Sequence, residues 1–231
     1  MTFRSLRPQS VHGRQAEARR NDLGVLEAAR DVFTAQGADA PVSAVAKHAG
    51  VGMGTLYRRY GSKTELLQRL CVLAMDQALA AADDALAASD PWDGLCGYIQ
   101  ACVELRSGAL ASLAGQIETT AEMRATARRS MARTEEIVAR AHRDGRLRAD
   151  VTALDIAWLI EQFSRRSLDL LDPAEERNVR SRLVAIALDG LLAGPDRAGP
   201  DRTGPDRAGP DQALPGRPPS RSHYVNRWSP T

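Results

Sequence analysis

The sequence predicts an all-α protein. Hydrophobic residues make up 43% of the 231 residues, aromatic residues only 4%, and alanine is abundant. Alanine favours helices, whereas strands favour aromatic and β-branched residues. Apolar residues also recur at the i, i+3, i+4 and i+7 spacing of one helical face in successive segments. We expect a three-helix N-terminal domain over residues 16–63 and a helical bundle over 64–193, flanked by a flexible basic arm (1–15) and a disordered tail (194–231).

The first helix is predicted over residues 16–36. It ends at Gly37, because a helix end favours a residue that tolerates a left-handed backbone. The polar and basic residues before it are expected either to add phosphate contacts or to remain solvated. The apolar face of this helix comprises Leu26, Ala29, Val32 and Phe33.

The stretch from Val42 to Lys63 predicts two short helices joined by a tight turn. Gly50 follows the first helix, and in the second helix Leu56 and Tyr60 are spaced to face inward. The apolar face of the first helix comprises Val42, Val45, Ala46 and Ala49. The second helix is left with outward-facing Thr55, Arg58 and Arg59. This arrangement predicts a helix-turn-helix that binds DNA.

The segment AGVGMGTLYRRYGSKTELL resembles the DNA-binding signature of the tetracycline-repressor (TetR) family of transcriptional regulators. The resemblance covers roughly residues 19–67. It implies that Thr55, Tyr57 and Arg59 contact DNA and that Lys63 holds a phosphate. The full set predicted to bind DNA comprises Ser43, Lys47, Met53, Gly54, Thr55, Tyr57, Arg58, Arg59 and Lys63.

Two positions depart from that family's pattern. The family often has His and then Phe where this chain has Arg59 and Tyr60, and a Thr or Ser that commonly starts the first helix is replaced by Pro41 and Val42. Arg59 can still reach DNA, but the base contacts of the family do not transfer to this chain.

The charges are divided unevenly along the chain. Residues 1–63 hold ten Lys and Arg against five Asp and Glu, whereas residues 64–193 hold fifteen against twenty. A basic N-terminal end on an acidic body is expected if only that end meets phosphates.

The rest of the chain reads as a series of helices. Ser62 and Glu65 form a capping box at the start of a long helix, which is predicted to continue to about residue 88 and to bridge the two domains. Further helices are predicted from Pro91 to near residue 108, over 110–117 and over 118–143. The resemblance implies an effector pocket in this region, and its candidate walls, which are alternatively plain core, are Leu95, Cys96, Ile99, Cys102 and Met123.

The last two predicted helices, 152–168 and 173–192, each carry more than one apolar face. Thr152 and Asp155 predict an N-cap for the first of them. In the second helix one stripe comprises Val179, Leu183, Ile186 and Leu191, and the other Val184, Leu188 and Leu192. When a helix has two apolar faces, each face must pack against another part of the protein or of a partner. We expect the second stripe to pack on a second copy of the chain, and burial within a large monomer is the alternative.

Several classes of protein are disfavoured. The three cysteines lack CxxC spacing, which argues against a disulfide framework and a zinc site. No catalytic signature is present, so we expect neither an enzyme nor a cofactor. No apolar run is long enough to span a bilayer, so we expect a cytoplasmic protein without a membrane partner.

These features predict a homodimeric regulator that binds double-stranded DNA at a pseudo-palindromic operator, and the resemblance implies a small-molecule effector as a further partner. The resemblance implies a repressor that releases its operator when the effector binds. The alternatives are a DNA-binding dimer without an effector and a helical enzyme or carrier whose basic end is incidental.

Overall fold

The computed structural model describes residues 11–113, 117–165, 172–193 and 214–220. Within these ranges the chain forms eight α-helices and one 3-10 helix, and Leu147 and Leu192 form an isolated antiparallel bridge. The all-α prediction is confirmed. The helices are α1 (Val11–Gln36), α2 (Val42–His48), α3 (Met53–Arg59), α4 (Lys63–Ala87), α5 (Pro91–Glu104), the 3-10 helix η1 (Ser107–Leu113), α6 (Ala121–Asp144), α7 (Ala153–Ser164) and α8 (Pro173–Leu191).

The chain divides into two compact units, Met1–Leu70 and Cys71–Thr231. The division falls inside α4, seven residues beyond the boundary expected from the sequence. Among the described residues no helix is long and apolar enough to cross a membrane.

The first unit packs α1, α2 and α3 around a small apolar core. Its buried side chains include the face of α1 that the sequence predicted, together with Val45 of α2 and Leu56 of α3. The helix α1 begins at Val11, so the prediction of a loose arm is wrong for residues 11–15. No proline interrupts this stretch, and the one glycine costs a helix only about 1 kcal/mol. The remainder of the predicted arm, residues 1–10, lies outside the described residues.

The start of α4 is capped nearly as the sequence predicted. The Ser62 hydroxyl oxygen accepts from the Glu65 amide at 3.1 Å. The Glu65 carboxylate reaches back to the amide of Gly61, also at 3.1 Å, rather than to that of Ser62. At the other end of α4, the Arg140 guanidinium of α6 donates to the carbonyls of Leu86 and Ala88. Orphan backbone groups at both ends are thereby satisfied.

The helix α5 ends at Glu104, four residues earlier than predicted. Arg106 adopts a left-handed φ of 53°, and the Ser107 hydroxyl donates to the Cys102 carbonyl at 3.0 Å. The separate helix predicted over 110–117 is also wrong, because the chain forms η1 instead and Ile117 lies outside any helix. A Cβ added at Gly108 in η1 would lie 2.6 Å from the Cα of Glu161, so the backbones of η1 and α7 approach very closely.

The second unit is built around α5, with α4, α6, α7 and α8 contributing to one apolar cluster. Gly145, with a φ of 87°, ends α6. The predicted cap of α7 forms completely, because the Asp155 amide donates to the Thr152 hydroxyl (3.3 Å) and the Thr152 amide donates to the Asp155 carboxylate (2.8 Å). The helix α7 ends at Ser164, and the end predicted near residue 168 lies outside the described residues.

The helix α8 buries the apolar stripe that was expected to face a second chain. Val184 and Leu188 are buried in the cluster of their own unit, whereas Leu183 and Ile186 are 45% and 59% exposed. The expectation that the second stripe is the outward one is therefore wrong. Both stripes have similar hydropathy, and periodicity does not tell which one faces the core.

The tail is described only over residues 214–220. There the Leu214 amide donates to the Asp150 carboxylate at 2.7 Å. The disorder predicted for the remainder, 194–213 and 221–231, concerns residues outside the described ranges.

Candidate DNA interface and ligand cavity

The turn between α2 and α3 closes with two backbone hydrogen bonds. The Gly50 amide donates to the Lys47 carbonyl (3.3 Å) and the Val51 amide to the Ala46 carbonyl (3.0 Å). This is a Schellman end, which requires a left-handed residue, and Gly50 supplies it with a φ of 66°. A tight glycine turn therefore joins α2 to α3, as predicted from the sequence.

The helix α3 presents nearly all of its surface to solvent. Leu56 is its buried residue, and Tyr60, which follows the helix, is only 3% exposed. Of the nine residues predicted to bind DNA, Lys63 is half-buried, and the exposed ones are Ser43, Lys47, Met53, Gly54, Thr55, Tyr57, Arg58 and Arg59. The structure thus brings these side chains to the surface of α2 and α3.

The cations of this surface differ in how they are held. Lys47 and Arg58 form no ion pair with any described residue and stand free to meet phosphates. The Lys63 ammonium lies 5.9 Å from the centre of the Phe33 ring, within the range of a cation–π contact. That contact positions Lys63 at the first turn of α4.

Arg59 is tied to helix α1. Its Nε lies 3.6 Å from Oδ1 of Asp22. The Tyr60 hydroxyl donates to the same oxygen at 2.5 Å. Burial, followed by this hydrogen bond, raises the pKa of Tyr60 well above its ordinary value, so the phenol remains a donor.

Two family profiles match the chain in succession. The profile described as "Bacterial regulatory proteins, tetR family" matches residues 25–70, and the one described as "Transcriptional regulator SbtR-like, C-terminal domain" matches residues 90–193. Together they cover more than half of the chain. The chain belongs to the TetR family. The resemblance read from the helix-turn-helix residues is confirmed.

Known proteins agree with this assignment. An HTH-type transcriptional regulator (SAR0097) of Staphylococcus aureus strain MRSA252 is 38% identical to this chain over 68 residues. These residues are 29% of this chain and 33% of the relative, so the match spans about a third of that curated relative. The crystal structure of a TetR transcription regulatory protein from Mycobacterium vanbaalenii is 28% identical, covering 78% of this chain and 99% of that one, with a TM-score of 0.54. The ketosteroid regulator KstR2 of Mycobacterium tuberculosis shares the fold at 22% identity, 75% and 95% coverage, and a TM-score of 0.54.

TetR-family regulators bind DNA and act as dimers, and this chain is accordingly a DNA-binding transcriptional regulator. The predicted function is confirmed at that level. Family membership points to a regulator and away from an enzyme. Among the residues that the structure describes, no group of three His, Cys, Asp or Glu side chains is arranged to hold a metal ion.

The second unit of this TetR-family regulator contains a cavity of about 100 Å³. Its walls come from α4, α5, η1, α6 and α7, and they are mostly small or sulfur-containing. Four hydroxyl groups also line it, those of Tyr98, Ser107, Ser130 and Thr134. Glu161 is the one charged residue among the described lining residues.

The cavity coincides poorly with the predicted pocket walls. Of the five candidates only Cys102 lines it. Leu95, Ile99 and Met123 are fully buried, and Cys96 packs partly buried against the core. The alternative weighed from the sequence, plain core, fits the other four candidates, because they are packed in the apolar interior and do not line the cavity.

The polar groups of the cavity are already connected to one another. The Thr134 hydroxyl donates to the Ser130 carbonyl at 3.0 Å and accepts from the Tyr98 hydroxyl at 2.9 Å. The Glu161 carboxylate, 3% exposed, pairs with the Arg165 guanidinium at 3.1 Å. Because the hydroxyl protons of Tyr98 and Thr134 are already donated within the protein, these two groups can offer a ligand acceptor oxygens but not donors.

The cysteines behave as buried thiols. Burial raises the pKa of Cys71 to about 12 and that of Cys102 to about 11, and burial also raises the pKa of Cys96 to about 11. Thiols with such pKa values are inert at neutral pH. The raised pKa values indicate that these cysteines act as small packing residues and not as a redox sensor.

Sequence reasoning missed two groups of residues. Asp22 is separated from Tyr60 by 38 positions, and no periodicity connects them. The cavity hydroxyls were missed for the same reason. Glu161 did carry a signal, because it is an acidic residue in the apolar run of α7, where a charge needs a partner.

Proposed function

We propose that this TetR-family regulator represses transcription by binding a pseudo-palindromic operator as a homodimer, and that a small molecule in the cavity of the second unit releases it. The observation that carries the proposal is an exposed recognition helix in one unit of a chain whose other unit encloses a cavity with a polar wall. The nine residues predicted to bind DNA form the proposed interface.

The DNA contacts divide by chemistry. Lys47, Arg58 and Lys63 are suited to phosphates, because phosphate contacts fix the position of a protein on the duplex. Thr55, Tyr57 and Arg59 on α3 are suited to the base edges and the adjoining backbone of the major groove. The exposure of these side chains supports the assignment.

The homodimer is proposed to form through α7 and α8. Leu183 and Ile186 supply its apolar contact on α8, since large aliphatic side chains exposed side by side mark an interaction surface. A two-fold dimer with recognition helices about 34–36 Å apart, or a multiple of that distance, reads half-sites on one face of the duplex.

The ligand is proposed to be small and not anionic. A cavity of about 150 Å³ admits benzene, and this one is smaller, at about 100 Å³. An anion would face Glu161, and no Lys or Arg is present among the described lining residues. A ligand with hydrogen-bond donors meets the acceptor oxygens of Tyr98 and Thr134.

Helix α4 offers a route from the cavity to the DNA. Cys71, Met75 and Ala78 of α4 line the cavity, and the same continuous helix begins at Lys63. A ligand larger than the cavity must displace this wall. It shifts the equilibrium only if it binds the displaced state more tightly than the DNA-bound one.

A matched ligand series tests the proposal. Butylamine, 1-butanol and butyrate share one carbon chain and differ in charge, and each is titrated into the protein while the melting temperature and the anisotropy of labelled upstream DNA are followed. We expect the amine or alcohol, but not the acid, to raise the melting temperature and weaken DNA binding. If the protein binds DNA but responds to no compound of a wider panel, the DNA-binding dimer without effector is favoured. The small volume of the cavity is also consistent with that alternative.

A further inference from the structure

Asp22 of helix α1 contacts two residues at the end of the recognition helix. A single carboxylate oxygen, Oδ1, accepts from the Tyr60 hydroxyl and faces Nε of Arg59 at 3.6 Å. All three residues belong to the first unit. Tyr60 follows α3 directly, so this contact holds the end of α3 against α1.

The tyrosine anchors the carboxylate. Tyr60 is 3% exposed, and its ring is fixed by the packing around it. The hydroxyl donates to Asp22 over a short 2.5 Å, which fixes the position of an otherwise half-exposed carboxylate. A carboxylate fixed in this way can hold the neighbouring Arg59 guanidinium in one orientation.

The guanidinium of Arg59 forms an ion pair with Asp22 through its Nε atom. The group is planar and carries five N–H donors, and its Nε lies 3.6 Å from Asp22 Oδ1. Its terminal Nη1 and Nη2 atoms form the edge with which a guanidinium binds a phosphate or a guanine through two parallel hydrogen bonds. Holding Nε restricts the rotation of that edge before DNA arrives.

We propose that Asp22 is a positioning residue for DNA binding, which presents the Nη edge of Arg59 to the operator. The inference rests on the proposed contact between Arg59 and DNA. It assigns a favourable role to an acidic side chain beside a DNA-binding surface, where charge alone would make it unfavourable. Removing a carboxylate near phosphates otherwise strengthens binding.

A double-mutant cycle tests the proposal. Full-length wild type, Asp22→Asn, Arg59→Ala and the double variant are titrated with a labelled duplex from upstream of the protein's own coding region. Asparagine keeps an oxygen for Tyr60 but loses the charge. We expect Asp22→Asn to weaken binding about fivefold to tenfold in the wild-type background and less than twofold in the Arg59→Ala background, because contacting residues are energetically coupled.

Two controls separate the possible causes. Asp31→Asn removes another carboxylate of α1, one that pairs with His48 at 3.3 Å, and is expected not to weaken binding. Tyr60→Phe removes only the hydroxyl that anchors Asp22, and we expect a smaller loss that also disappears in the Arg59→Ala background. This variant keeps the test decisive if Asp22→Asn does not fold.

Three results would overturn the inference. An equal loss in both backgrounds means that Asp22 acts on the fold alone, and a gain in affinity means that it competes with DNA. Unchanged binding by Arg59→Ala removes the arginine from the interface, and the inference with it. Tyr57→Ala is titrated in parallel, and its loss of binding would show that the proposed DNA surface stands even when the role of Asp22 fails.

Discussion

At the scale of single residues, the DNA surface depends on side chains that the fold leaves uncovered. Tyr57 is 45% exposed although it is aromatic, while its neighbour Leu56 is 2% exposed. An aromatic side chain that a fold does not bury is available to a partner. Tyr57 therefore offers a direct test of the proposed surface.

We expect Tyr57→Ala to lower operator affinity at least about tenfold and to leave the dimer and the melting temperature nearly unchanged, because the side chain contacts DNA rather than core. Fluorescence anisotropy measures the affinity, sedimentation velocity the dimer, and a thermal melt the melting temperature. Arg128→Ala, an exposed change on α6, is the matched control. Wild-type affinity in the tyrosine variant would remove Tyr57 from the interface.

The raised thiol pKa values give a second prediction at this scale. At pH 8 a thiol with a pKa of about 11 or 12 is almost entirely protonated, and its thiolate fraction increases only as the pH approaches that value. We expect Cys71 and Cys102 to resist iodoacetamide in the native protein and to react once it is unfolded in urea. Mass spectrometry locates the label, and rapid native alkylation of either residue would contradict the buried-thiol reading.

At the scale of the helix, caps and turns follow from local sequence. Gly50 and the Thr152–Asp155 box act within a few residues of themselves, so their roles could be predicted. The early end of α5 could not, because a left-handed arginine at position 106 has no compositional signal. The inward stripe of α8 depends on contacts with α5, which periodicity alone does not encode.

The proposed dimer surface is tested on α8. We expect Ile186→Glu to produce monomers and to cost most of the operator affinity, because the side chain is 59% exposed in one chain and a buried charge would be unpaired at an apolar interface. Ala185→Glu, an exposed neighbour outside the Leu183–Ile186 stripe, is the control. Sedimentation equilibrium decides between them, and a dimeric Ile186→Glu protein would show that the interface lies elsewhere.

At the scale of the whole molecule, opposite charges are carried by the two parts of the chain. The N-terminal 63 residues are net basic and residues 64–193 net acidic. The affinity for a polyanion must therefore come from a few cations at one end. Such binding weakens steeply as salt concentration rises.

We expect Lys63→Ala to lower the slope of log affinity against log salt by about one unit, because one phosphate contact is lost. Arg69→Ala, an exposed basic residue further along α4, is expected to leave the slope unchanged. Titrations at four salt concentrations measure both variants. Equal slopes for wild type and Lys63→Ala would exclude a phosphate contact by Lys63.

Removal of the chain after Ala193 tests the tail. In its described segment the Leu214 amide donates to the Asp150 carboxylate, and the Leu214 side chain remains 42% exposed. We expect the melting temperature and the DNA affinity to stay nearly unchanged, since the Gly-Pro-Asp-Arg repeat of the tail has little hydrophobic content to bury. A loss of several degrees in calorimetry would show that the tail packs on the body.

The close approach of the η1 and α7 backbones at Gly108 limits which residues of the cavity wall can be substituted. Its wall at η1 and α7 is backbone against backbone, and a single methyl group there would meet the Cα of Glu161. If the proposed effector binds here, its selectivity is expected to change with exchanges of side chains on the α4 and α6 walls, but not at this one. An engineer seeking a regulator with a larger ligand would vary Met75 and Met131 and leave Gly108 untouched.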